Sequence, residues 1–95
     1  MEKKANYKWI VYKTTNIVNN HFYIGVHQCT TLKFDGYLGM GIYINQPSTY
    51  NTGKTKLQRA VMKYGTKNFK RETLAIYDTA EDAYTLEEEL VTTSF

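Results

Sequence analysis

Two short runs of alternating apolar and polar residues lie near the start of the chain, on either side of a segment rich in asparagine. The first run spans about residues 7–14 and the second about residues 22–27. Successive side chains of a strand point to opposite faces, so Trp9 and Val11 share one face and Tyr12 lies on the other. Asparagine favours turns because its side chain hydrogen-bonds the nearby backbone. The pattern therefore predicts an antiparallel hairpin.

The second run also carries its apolar side chains on one face, and these are Phe22, Ile24 and Val26. If the two apolar faces of the hairpin coincide, Tyr12, Tyr23 and His27 share the opposite face. A slip of one residue in the pairing would reverse every side chain of one strand. The prediction of a face with two tyrosines and a histidine therefore depends on this register.

Three further elements follow from periodicity and capping signals: a helix over about residues 56–64, a strand over about residues 69–77 and a helix that begins after Thr79. Thr55 and Gln58 fit a capping box at the start of the first helix. Residues 28–53 have no clear period, and a loop of this length is usually functional, so we expect a lid or a substrate-contacting insertion. The pattern predicts one α+β domain over residues 1–95, with a flexible arm at residues 1–6. These elements follow one another in the order β-β-α-β-α.

Charge is unevenly distributed along the chain. All twelve basic residues precede residue 78, together with three acidic ones, whereas residues 78–95 hold six acidic residues and no basic one. A basic body suits a polyanion, and an acidic last helix suits either a metal or acid–base chemistry, although a solvated acidic face explains it equally well. The single Cys29 cannot form an internal disulfide, and neither a signal peptide nor a membrane span is visible. We therefore expect an intracellular protein that is neither secreted nor inserted in a membrane.

One carboxylate of the last helix lies among positions of the predicted buried stripe. The stripe consists of Ala80, Ala83, Tyr84, Glu87, Leu90 and Val91. Glu87 is the only acid on it, and a buried carboxylate is costly unless it is paired or binds a metal. The alternative is that Glu87 lies at the edge of the stripe and reaches solvent or a basic partner.

These segments together resemble the GIY-YIG nuclease domain, and most closely its phage-encoded homing-type members. The residues that carry the resemblance are Tyr12, Tyr23-Ile24-Gly25, Leu57-Gln58-Arg59, Tyr64-Gly65, Asn68-Phe69 and the acidic last helix. The chain departs from the family in two ways: Ile10 and Val11 replace the first two residues of the first motif, and no arginine lies between His27 and Lys56. The resemblance implies hydrolysis of a DNA phosphodiester on a small three-stranded antiparallel sheet flanked by helices.

The resemblance also implies a role for each site residue. Tyr12 would deprotonate or position the attacking water, although an unperturbed tyrosine titrates near pH ~10 and needs a nearby cation to act as a base. Tyr23 would hydrogen-bond the scissile phosphate or the water, and Glu87 would bind Mg²⁺ or Mn²⁺. His27 would be a cationic stabiliser or proton donor, with Lys33 as the second candidate. The residues expected to bind nucleic acid are Lys33, Lys54, Lys56, Arg59 and Lys63.

Three functions remain open at this stage. The first is a metal-dependent DNA endonuclease that nicks or cuts with weak specificity, acting in the host cytoplasm if the chain is phage-encoded. The second is a non-catalytic nucleic-acid-binding module or an inactive fragment on the same fold. The third is a protein-interaction domain that uses the tyrosine-rich face. No appended DNA-binding domain is expected after Phe95, and the need for a homodimer to cut both strands stays open.

Overall fold

The computed structural model describes residues 7–31 and 33–91, so the predicted arm at residues 1–6 lies outside the described residues. The strands and helices are β1 (Lys8–Asn16), β2 (Phe22–Cys29), β3 (Tyr37–Gly39), β4 (Ile42–Tyr43), α1 (Lys56–Tyr64), β5 (Phe69–Tyr77) and α2 (Ala80–Leu90). The main sheet has three antiparallel strands in the spatial order β2-β1-β5. The predicted α+β fold is therefore confirmed.

The register of the β1–β2 hairpin decides which side chains share a face. Tyr12 pairs with Gly25, Ile10 with His27 and Thr14 with Tyr23. Because directly paired residues project to the same face, Tyr12, Tyr23 and His27 lie on one side of the sheet, as the alternation predicts. We call this side the tyrosine face.

The opposite side of the sheet packs against α2. Leu86, Leu90 and the fully buried Ala83 contact a cluster that includes Val11 and Ile24. The predicted stripe is wrong in part, because it omits Leu86 and includes Tyr84 and Val91, which are 49% and 44% exposed. Residues 83, 86 and 90 are spaced by three and four positions, so they form one side of the helix.

The tyrosine face is covered by α1 and by the segment that precedes it. Five buried residues form the core here, and they are Leu38, Ile42, Leu57, Val61 and Phe69. The segment predicted as an irregular loop contains the β3–β4 pair and a 3₁₀ turn at Pro47–Thr49. Thr14 Oγ1 donates a hydrogen bond of 2.6 Å to the carbonyl of Leu38, which ties β3 to the central strand.

The start of α1 has the capping box that the sequence predicts. Thr55 Oγ1 accepts from the Gln58 amide at 3.0 Å, and Gln58 Oε1 accepts from the Thr55 amide at 2.9 Å. Both exchanges satisfy backbone amides that the first turn of a helix leaves unpaired. Within the described ranges, neither helix has the length and apolar character that crossing a membrane requires.

Candidate active site

Tyr12 lies at the centre of the tyrosine face with its hydroxyl confined between two glycines. The residue is 1% exposed. A Cβ placed on Gly25 would stand 2.5 Å from the Tyr12 hydroxyl oxygen, and one placed on Gly39 would stand 2.8 Å from it. Gly39 has a φ of +126°, which other residues rarely adopt. These two glycines therefore create the space that the hydroxyl occupies.

The surroundings of Tyr12 keep its phenol protonated. Burial raises the pKa of Tyr12 well above its ordinary range, and the neighbouring Tyr23 and Tyr37 phenols raise it further. The Tyr12 ring is 6.1 Å from that of Tyr23 and 6.0 Å from that of Tyr37, between ring centroids. A phenol with a raised pKa donates hydrogen bonds but does not accept a proton near neutral pH. Of the two roles predicted for Tyr12, positioning is the one that these surroundings support.

Tyr23 lies on β2, which is an edge strand of the main sheet. Burial raises the pKa of Tyr23, and the phenol of Tyr37 and the carboxylate of Glu87 add to the shift. α2 packs on the side opposite the tyrosine face, yet the carboxylate of its Glu87 still acts on the Tyr23 phenol. The structure thus places Glu87 within electrostatic reach of Tyr23.

Glu87 is a half-buried carboxylate. Burial raises its pKa, and the adjacent Glu88 carboxylate raises it further. No hydrogen bond or ion pair of its carboxylate is found among the residues that the structure describes. The same residues contain no group of three or more histidine, cysteine or acidic side chains that could hold a metal ion. Any cation bound at Glu87 would therefore depend on water and on ligand oxygens for most of its coordination.

His27 is held by a side chain that the sequence analysis missed. Its Nε2 lies 2.8 Å from Oδ2 of Asp35, and its ring stacks on that of Tyr37 with centroids 4.1 Å apart and planes at 17°. Asp35 Oδ1 also accepts from the Tyr37 amide at 3.0 Å. The segment before β3 thus fixes the histidine against the sheet.

A cation beside Tyr12 was also missed by the sequence analysis. Arg71 of β5 donates from Nη1 to Asp35 at 3.3 Å and to the Tyr37 carbonyl at 3.2 Å. Its side chain is 4% exposed, and its guanidinium carbon lies 5.8 Å from the centroid of the Tyr12 ring. Lys33, which the sequence suggests for this place, lies in an exposed stretch. The alternation of side chains along β5 could have identified Arg71. Arg71 pairs with Thr14 and therefore projects to the tyrosine face.

Three of the residues predicted to bind nucleic acid line one groove of about 430 Å³ between α1 and the β1–β2 turn. The residues that line the groove are Asn19, His21, Lys56, Arg59, Ala60, Lys63 and Tyr64. Arg59 Nη1 also donates to the Gly53 carbonyl at 3.0 Å, which fixes this guanidinium near the start of the helix. Lys54 and Lys33 do not line the groove. A basic groove of this kind attracts phosphate groups.

The sequence is similar to proteins of Enterobacteria phage T4 that are named as endonucleases. It is 42% identical over 82 residues to "Putative endonuclease segE", a match that covers 86% of this chain and 33% of that protein. It is 40% identical over 91 residues to "Endonuclease segA", with 96% of this chain and 34% of that protein covered. The chain thus spans about a third of the length of these curated relatives. No protein-family model matches the chain, and no solved structure matches it.

Proposed function

We propose that this chain is the nuclease unit of a DNA endonuclease of the GIY-YIG type, and that it hydrolyses a phosphodiester bond. One observation carries the proposal: the Tyr12 hydroxyl lies in a space bounded by Gly25 and Gly39, on the same face as Tyr23. The similarity to T4 proteins named as endonucleases extends over most of the chain and supports the choice of reaction.

In this proposal Tyr12 and Tyr23 act as hydrogen-bond donors. A phosphate oxygen gains negative charge as water attacks, and a fixed donor in a partly dry site stabilises that charge more than water does. Tyr12 suits this role because its hydroxyl is held in place before substrate arrives and its raised pKa keeps the proton on oxygen. Tyr23, half-buried beside it, presents a second donor to the same phosphate.

Glu87 fits a divalent cation that is held mainly by substrate. Mg²⁺ commonly keeps several waters and binds through one or two carboxylates together with phosphate oxygens, so a single half-buried carboxylate is sufficient. When bound, the cation would stabilise the charge that develops on the phosphate and on the leaving oxygen. Glu87 supplies the negative charge that keeps such an ion at the edge of the sheet beside Tyr23.

Conversion of supercoiled plasmid to nicked circles in Mg²⁺ or Mn²⁺ tests the proposal. We expect nicking by the unchanged chain and its loss on addition of EDTA. Glu87→Gln keeps the shape of the side chain but removes its charge, so the rate should fall at least about 100-fold, since a catalytic metal contributes several kcal/mol.

Glu89→Gln is the matched control, because Glu89 is exposed and lies two residues further along the same helix. Its rate should stay within about twofold of that of the unchanged chain, as is usual for exposed positions. Equal rates for Glu87→Gln and Glu89→Gln would contradict a metal-binding role. Failure of the unchanged chain to nick in any metal would contradict catalysis by this unit alone.

The groove beside α1 favours a second candidate, a module that binds DNA without cutting it. Lys56, Arg59 and Lys63 line this groove whether or not the tyrosines are competent for reaction. The same groove is expected to serve the nuclease by holding a phosphate next to the cleaved bond. Salt-dependent binding without nicking would support the module.

The double variant Lys56→Gln/Lys63→Gln measures how much the groove contributes to DNA binding. The slope of log K against log salt should become shallower by about two, because each lost phosphate contact removes about 0.9. Lys67→Gln/Lys70→Gln removes the same charge from exposed lysines outside the groove and should leave the slope nearly unchanged. Equal slopes for the two double variants, measured by fluorescence anisotropy on one duplex, would mean that the basic surface acts diffusely.

A further inference from the structure

Asp35 joins three separate parts of the tyrosine face. Its two oxygens bond His27 of β2, the Tyr37 amide of β3 and Arg71 of β5. The hydrogen-bond partners of the carboxylate are thus one histidine, one backbone amide and one arginine. If Asp35 served only to hold this segment against the sheet, it would need neither the imidazole of His27 nor the guanidinium of Arg71.

The charge state of Asp35 follows from these partners. Burial alone would raise the pKa of Asp35, but the hydrogen bonds from His27 and from the Tyr37 amide, with the charges of His27 and Arg71, outweigh it and hold the pKa below its ordinary value. Arginine keeps its proton under all conditions in which a protein is folded. Asp35 is therefore a carboxylate, and a carboxylate only accepts hydrogen bonds.

The tautomer of His27 follows in turn. Because Asp35 can only accept, the hydrogen of the 2.8 Å contact must belong to Nε2 of His27. In the neutral ring Nδ1 then carries the lone pair, and it is the nitrogen left for a substrate. Stacking on Tyr37 fixes the plane of this ring, and Tyr37 in turn meets the Tyr12 ring edge-on, at 77° between planes.

We propose that Asp35 and Arg71 are positioning residues that hold His27 as a base, with Nδ1 directed to the water that attacks the phosphate. This inference rests on the proposed nuclease function and adds the group that takes up the proton. The oxygen of the water forms a bond to phosphorus while its proton passes to Nδ1. The bond from phosphorus to the leaving oxygen breaks with its electron pair, and that oxygen takes a proton from solvent.

The other groups around the pair leave this role to His27. The titratable and charged neighbours, by element, are Tyr12 on β1, Cys29 on β2, Tyr37 on β3, Tyr43 on β4 and Arg71 on β5. Burial raises the pKa values of Tyr12, Cys29 and Tyr43. These three groups therefore stay neutral in the range where histidine ordinarily titrates.

The first test is the nitrogen-15 NMR spectrum of the His27 ring in the unchanged chain. We expect the hydrogen on Nε2 and a bare Nδ1 in the neutral ring. The opposite tautomer would overturn the inference, and this readout does not depend on activity.

The second test is the nicking rate and the His27 tautomer of Asp35→Asn. Asparagine removes the carboxylate that only accepts the hydrogen of Nε2. The asparagine amide can also donate to Nε2 and reverse the tautomer, so the rate should fall at least about tenfold. DNA affinity should not change.

Two comparisons separate positioning from a purely structural role. Asp35→Glu keeps the charge and the acceptor, so it should keep the hydrogen on Nε2 even if some rate is lost, whereas Asp78→Asn, which removes an exposed partner of Lys8, should change neither the rate nor the tautomer. A loss of rate in Asp35→Asn with an unchanged His27 tautomer would overturn the inference. So would an Asp35→Asn protein that nicks like the unchanged chain, a result that leaves the nuclease function itself intact. An unchanged chain that nicks in no metal contradicts catalysis by this unit alone instead, and the base role of His27 with it.

Discussion

Tyr12→Phe is expected to abolish nicking while the protein stays folded. The change removes one oxygen from a residue that is 1% exposed and leaves its ring in place. Loss of one preorganised donor to a developing oxyanion costs about 100-fold to 1000-fold in rate. The free energy of unfolding should change by no more than about 1.5 kcal/mol, the usual contribution of one hydrogen bond. Single-turnover nicking and thermal unfolding followed by circular dichroism measure the two effects.

Tyr77→Phe is the control for the Tyr12 experiment. Tyr77 lies on β5, packs with the cluster on the α2 side of the sheet and pairs with Trp9. It loses the same oxygen on the face away from the candidate site, so its nicking rate should not change. A Tyr12→Phe protein that retains more than about a tenth of the activity would rule out the donor role, because that loss is below the range for such a group.

Gly25→Ala is expected to damage both the site and the fold. The new Cβ would stand 2.5 Å from the Tyr12 hydroxyl, 2.7 Å from Tyr12 Cζ and 2.9 Å from Tyr23 Cε2. Both rings must move, and overpacking of a core costs about 1–3 kcal/mol. Since the displaced groups are the proposed donors, we expect nicking to fall at least about 100-fold. Denaturant unfolding and the plasmid assay measure the two losses.

A double-mutant cycle shows whether the hydroxyl is the group that Gly25 accommodates. Removal of the hydroxyl in Tyr12→Phe deletes the closest contact of the new methyl group. The Gly25→Ala/Tyr12→Phe protein should therefore be more stable than the sum of the single changes predicts, by at least about 0.5 kcal/mol. Additive effects on the free energy of unfolding would show that the methyl group is absorbed elsewhere.

Local patterns predict the hairpin and the first helix because their signals lie close together in the chain. The alternation around Tyr12 and Tyr23 fixes which face each residue takes, and Thr55 with Gln58 marks the start of α1. The β3–β4 pair escapes such reasoning because strands of three and two residues are too short to show a period.

The site itself is predicted only in part, because its contacts join distant parts of the chain. Arg71 and Asp35 are 36 residues apart, and neither has a local pattern that marks it. The prediction for the last helix failed for a different reason. It omitted Leu86 from the buried stripe, and the stripe was therefore placed too close to Glu87.

The two helices place charges of opposite sign on the two sides of the sheet. On one side α1 carries Lys56, Arg59 and Lys63 and no acid, whereas on the other α2 carries Glu81, Asp82 and Glu87–Glu89 and no base. The domain is thus an electric dipole whose axis crosses the sheet. A polyanion that diffuses toward it is turned to meet the α1 side before any contact forms.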